Sequence, residues 1–372
     1  MLNRLRQIAQ LGQAIWLDFI SREFLQSGRL AELVDAGVAG VTSNPTIFHK
    51  AISGSNVYDA DIAALVREAR SAAEIYESLT VADVGAAADV LRSVYNETHG
   101  RDGYVSIEVS PRLAHDTAGT VTEARRLYQA LRRPNVMIKV PATEAGLPAI
   151  STLIGEGINV NVTLIFSLAM YERVMEAYAE GLRRLRAIGR PLGLVSSVAS
   201  FFVSRVDTLV DKIIDHRVAH GEPHLEPMYG LAAVANAKLA YARFKAFFNG
   251  PRFAELRSLG ARPQRPLWAS TSTKNPRYPA TKYVDPLIGV HTVNTVPLQT
   301  LEAIEAQSVV AQSIDTDVER AEDIMRQLAG LQIEMDWVTA CLLDEGVQLF
   351  VDSYDTLLAD ITRKREQIAQ PA

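Results

Sequence analysis

Residues 159–167 read NVNVTLIFS. As a strand, this run places Asn159, Asn161, Thr163 and Ser167 on one face. Val160, Val162, Leu164 and Phe166 fall on the other, because successive side chains alternate. A parallel sheet covered by helices is apolar on both faces. A polar face therefore points to a barrel interior that leads to a working mouth. Residues 103–110, GYVSIEVS, repeat the pattern: Ser106, Glu108 and Ser110 oppose Val105, Ile107 and Val109.

Six further segments read as strands: IWLDF (15–19), VAGVTSN (38–44), NVMIKVPA (135–142), LGLVSSVAS (192–200), PLWAS (266–270) and HTVNTVP (291–297). Helical patterns separate most of them. TVTEARRLYQALRR has a Thr-x-x-Glu-like start at Thr120 and a basic end at Arg133. SLAMYERVMEAYAEGLRRLRAIG carries apolar residues at helical spacing and stops at Gly189. Eight alternating β and α units, with no Gly-rich nucleotide fingerprint after the first strand, predict an α/β fold of the (β/α)8 TIM-barrel type. Segments 45–101, 201–264 and the tail after 297 exceed a minimal barrel and read as mostly helical. The tail reads as two long terminal helices, packed on the barrel or over its mouth. With no low-complexity linker and no internal repeat, residues 1–372 are expected to form a single domain.

The formal charge of −5 comes without a dense basic patch, so no nucleic-acid partner is expected. One cysteine, Cys341, builds neither a disulfide framework nor a Cys-based zinc site. The start lacks a leader pattern, and no run approaches ~18 uninterrupted apolar residues. A cytoplasmic protein without membrane contact is the expectation.

In such barrels the site lies at the C-terminal strand ends. Lys139 stands there on the fourth strand, among Val136, Ile138 and Val140. A strand lysine commonly snorkels or pairs with a carboxylate. A desolvated lysine is also the nucleophile of Schiff-base chemistry, since an amine attacks a carbonyl only when neutral. Asp18 and Glu108 occupy the same level on strands one and three. They serve either as ion-pair partners, with Lys139 or Arg22, or as the acid and base of an imine enzyme. Asn44, before Pro45, suits a helix cap as well as a ligand contact. Asn161 and Thr163, inside a barrel, need polar partners. Ser200, Arg205, Ser270, Ser272 and Lys274 form either a phosphate site or a solvated surface. His216, His220 and His224 follow at i+4, but Gly-Glu-Pro before His224 breaks the helical face and no zincin Glu is present, so no metal site is expected.

The motifs LDFISR, GVTSNPTIF, SIEVSP, IKVPAT, NVTLIFS and WASTSTKNP, in this order on these strands, resemble the transaldolases, and their longer bacterial branch in particular. The resemblance implies a Schiff base on Lys139 with no metal or organic cofactor. It assigns acid/base work at the C4 hydroxyl to Asp18, and the proton-shuttling water to Glu108 with Thr163. Asn44 and Asn161 would bind hydroxyls of the dihydroxyacetone unit, and Ser200 and Arg205 the phosphate, with Ser270 nearby. The shorter transaldolases carry an arginine two residues after the strand-seven serine. Here that position is Ser272, with Lys274 two further on to supply the charge. Arg22 belongs to the ISR pattern, with Asp18 or a substrate oxygen as candidate partners. The implied reaction moves a three-carbon unit from sedoheptulose 7-phosphate to glyceraldehyde 3-phosphate, giving erythrose 4-phosphate and fructose 6-phosphate. The alternatives are a related fructose 6-phosphate aldolase that releases free dihydroxyacetone, and a non-catalytic sugar-phosphate-binding barrel. Sugar phosphates are the expected partners of a monomer or homodimer.

Overall fold

The computed structural model describes residues 3–369. Eight parallel strands close into a barrel in sequence order. They are β1 Gln13–Leu17, β2 Gly40–Val41, β3 Tyr104–Glu108, β4 Val136–Pro141, β5 Val160–Ile165, β6 Ser197–Phe202, β7 Arg265–Ala269 and β8 Thr292–Val296. The β1–β8 seam that closes it runs in register from Gln13↔Thr292 to Leu17↔Val296. Outward-facing Val, Ile and Leu side chains pack under a ring of helices, and Trp16 and Trp268 are fully buried. That apolar layer, at about 25 cal/mol per Å², is the main favourable contribution to folding.

Several strands depart from expectation, β1 among them: it covers 13–17 rather than 15–19, which leaves Asp18 just past its end. β6 covers 197–202 rather than 192–200. Leu192–Leu194, following Pro191, forms a 3₁₀ turn instead, and Phe201 and Phe202 belong to the strand. β2 has only two residues. Its Gly40 lies against the indole of Trp16 so closely that a Cβ would stand 2.5 Å from Cδ2, and chain past Thr42 turns toward the helix that Asn44 caps. β5 keeps the expected alternation only to Thr163. A bulge follows between Val162 and Ile165, with Leu164 at φ +60°, so Ser167 leaves the polar face and caps the next helix through Met170 N.

The helix predicted from Thr120 begins at Thr117, because Asp116 is its cap, accepting from Gly119 N at 3.0 Å, and it ends at Leu131. The helix over Leu168–Ala187 stops before Gly189, whose φ is +75°. The insertions are helical as expected. The tail ends in two helices, Val318–Gly330 and the 35-residue Met335–Ala369, here called the terminal helix. No helix among the described residues is long and apolar enough to cross a membrane.

Candidate active site

The β3–β4 register pairs Glu108 with Lys139, so both side chains enter the barrel at one height. Lys139 Nζ donates to Ser43 O at 3.0 Å and stands 3.4 Å from Glu108 Oε2. The two side chains are 6% and 5% exposed. The pair is close enough for ionic attraction, yet its geometry is not that of a hydrogen bond, and Oε2 has no hydrogen-bond partner. Asp18 is the first residue past β1, anchored by its N–H on Val296 O. Its carboxylate accepts from Thr42 Oγ1 at 2.7 Å, and Thr42 Oγ1 is in turn 2.7 Å from Thr295 Oγ1. Burial pushes the Asp18 carboxyl above its ordinary pKa, against the Thr42 hydrogen bond, Lys139 and Arg205. Burial raises Glu108 as well, opposed by Lys139 and reinforced by the negative charge of Asp18. Two carboxyls biased toward holding protons thus flank one amine.

A cavity of about 500 Å³ opens above this group. Asp18, Lys139, Asn44, Thr163, Ser200, Arg205, Ser270, Ser272 and Lys274 all line it. Thr163 Oγ1 is buried without a hydrogen-bond partner, as Glu108 Oε2 is. An acceptor and a hydroxyl so placed suit a water held between acid and substrate. Asn44 uses Oδ1 to cap the Pro45–Ser53 helix through Ile47 N, which leaves its amide nitrogen for a ligand. Asn161 does not line the cavity. It is fully buried, donating to Ser106 Oγ and accepting from Ser200 Oγ at 2.6 Å, so it holds Ser200 from below.

Arg205, near the start of the Ser204–Ala219 helix, and Lys274 stand on the rim of the cavity. They are joined there by Lys50. None of the three forms an ion pair among the described residues. Burial, Arg205 and Lys50 together pull the Lys274 amine below the ordinary lysine range. Three cations on one rim, with only Glu345 and Asp18 near enough to act on Arg205 and no direct ion pair, make a site for a dianion. Lys50 escaped the sequence reading. Its signal was the Asn44–Pro45 helix start, which puts Thr46, Ile47 and Lys50 on one helical face toward the cavity. Ser270 takes φ +54°, and its Oγ lies 3.0 Å from Ser204 Oγ. A serine in this strained region at a strand end fits a ligand-contacting loop.

The terminal helix crosses the mouth. Gly346 permits the crossing: a Cβ there would lie 3.0 Å from Leu164 Cδ2 and 3.7 Å from Arg205 Nη1. One turn on, the Phe350 ring centroid lies 5.9 Å from Lys139 Nζ. This roof was foreseen only as one option for the tail.

Arg22 corrects an expectation. It meets neither Asp18 nor the cavity; it pairs with Asp83 at 2.9 Å and with Asp61, beneath the ring of Tyr58. His216 and His220 stack on each other at 4.4 Å, and no group of metal-ligating residues occurs among the described residues.

The family described as Transaldolase/Fructose-6-phosphate aldolase matches residues 15–361. A transaldolase of Parafrankia sp. is 47% identical over the whole of both chains. A protein named Transaldolase 2 from Nostoc sp. is 46% identical over 98% of each chain, and a transaldolase of Trichodesmium erythraeum 44% over 98% of each.

Proposed function

Because the chain belongs to the transaldolase/fructose-6-phosphate aldolase family, we propose that it passes a dihydroxyacetone unit between sugar phosphates through an imine on Lys139. The protein is a transferase of the pentose phosphate pathway, moving three carbons from sedoheptulose 7-phosphate to glyceraldehyde 3-phosphate and back. The observation that carries the assignment of residues is one cavity with Lys139 and Asp18 at its floor, Glu108 buried against Lys139 behind it, and three cations without an ion pair on its rim.

Lys139 Nζ attacks the ketose carbonyl. Glu108, acting through a water shared with Thr163, protonates the departing hydroxyl, and an iminium forms. Asp18 takes the C4 hydroxyl proton, the C3–C4 bond breaks, and its electrons flow into the iminium. The resulting enamine waits for the acceptor aldehyde, and reversal releases the new ketose. The iminium is the electron sink, so this chemistry requires no metal or organic cofactor. Arg205, Lys274 and Lys50 hold the phosphate, with Ser200, Ser270 and Ser272 as neutral donors.

Transfer and release differ in the fate of the enamine. The relatives named transaldolase at 44–47% identity favour transfer. Fructose 6-phosphate cleavage should therefore be slow alone and accelerate when erythrose 4-phosphate is added, with no free dihydroxyacetone accumulating. Stoichiometric dihydroxyacetone release, indifferent to erythrose 4-phosphate, would identify an aldolase instead.

A further inference from the structure

The terminal helix divides the mouth of the barrel into two compartments. Leu349 and Phe350 line the sugar cavity. Tyr354, one turn on, lines a second cavity of about 650 Å³. This larger cavity runs between the Ala72–Val90 helix and the Pro111–Leu113 turn, and includes exposed Ala73 and Ser78 at its outer end. Its wall mixes apolar side chains with polar groups, among them Glu123, which accepts from Ser110 N at 3.1 Å. Its inner end is Glu108, which does not line the sugar cavity, while Lys139 lines the sugar cavity and not this one. Lys139 and Glu108, one from each compartment's lining, stand 3.4 Å apart.

Imine chemistry has a use for such a second opening. When the carbinolamine collapses, the C–O bond breaks, Glu108 gives its proton to the leaving hydroxyl, and one water departs as the iminium forms. Hydrolysis takes up one water and returns that proton. A sugar phosphate fills the front cavity during both steps. We propose that the second cavity is the water port of the reaction: the water expelled from the carbinolamine leaves past Glu108, and the hydrolytic water returns the same way. The port rests on the Schiff-base assignment of Lys139. It also separates the water route from the enamine, which the Phe350 ring roofs on the sugar side.

The port is tested by blocking it from outside. In a Cys341→Ser background, Ser78→Cys and, separately, Ala73→Cys are modified with a bulky aromatic methanethiosulfonate. A single adduct is confirmed by mass, and ¹⁸O uptake from labelled water into the C2 carbonyl of fructose 6-phosphate is measured. The adducts are expected to slow uptake about tenfold, leave KM within about twofold, and be reversed by dithiothreitol. Unchanged uptake in both fully modified proteins overturns the port. Borohydride trapping on the same samples separates the two assignments. A Lys139 adduct with unhindered oxygen uptake removes the port alone. No adduct on Lys139, even before modification, removes the Schiff base and the port with it.

Discussion

Asp18 and Glu108 are both buried beside one lysine, but they are held differently, and the proposed roles draw on that difference. Asp18 receives a hydrogen bond from Thr42, which favours its ionised form; Glu108 Oε2 receives none. Replacing Thr42 by Val removes the donor, so the Asp18 pKa rises further. Because the base must be unprotonated, the acidic limb of kcat should move to higher pH; a limb that stays in place would dissociate Asp18 from the base step. Asp18→Ala should still form the imine, while C–C cleavage falls by about 10³-fold or more. Surviving cleavage would remove Asp18 from that role. Lys50→Met and Lys274→Met should each raise KM for fructose 6-phosphate about tenfold, the loss of one charge-assisted contact, and leave an unphosphorylated acceptor nearly unaffected. An equal penalty on both substrates would show that these lysines do not bind phosphate. Lys139, Asp18 and Glu108 were legible in sequence because a charge in an apolar strand is costly and needs a reason. Thr42 and Lys50 were not, since their meaning depends on β1–β2 pairing and on which face of a helix turns inward.

At the scale of elements, the strands were readable from alternation and the helices from spacing, while their ends were set by tertiary contacts. Asp116 displaced Thr120 as a cap, and the bulge at Leu164 cut short the alternation that identified the barrel. That bulge turns Leu164 toward the terminal helix, and Gly346 accepts it. Gly346→Leu should push the helix off the mouth. A loss of about 1–3 kcal/mol in stability by thermal melting is expected from overpacking, together with a larger fall in kcat/KM than in stability alone. Full activity in this variant would mean that the helix does not roof the site.

The whole molecule places the cationic rim on a scaffold distant in sequence. Asp207, on the helix that carries Arg205, accepts from Tyr283 OH and Ala233 N, and Asp211 accepts from Tyr278 OH and Gly230 N. Nothing in the sequence marks these acids, because their partners lie across the fold. Burial raises the Asp207 pKa to about 6, reinforced by Asp211 and opposed by Ala233 N–H, Lys282 and Tyr283. A carboxyl raised on folding stabilises most below its unfolded pKa of about 3.9, and that contribution fades as pH rises through about 6. Relative to Asp207→Asn, the wild-type Tm should therefore fall between pH 4 and pH 7; a gap independent of pH would show that Asp207 does not titrate in this range. Barrel, roof and rim all converge on one atom, Lys139 Nζ, and its chemistry is the most direct test. The protein is incubated with fructose 6-phosphate, reduced with borohydride and digested, and its peptides are mapped by mass. The account predicts a three-carbon adduct on Lys139; an active protein that yields no adduct, or one on another lysine, would contradict it.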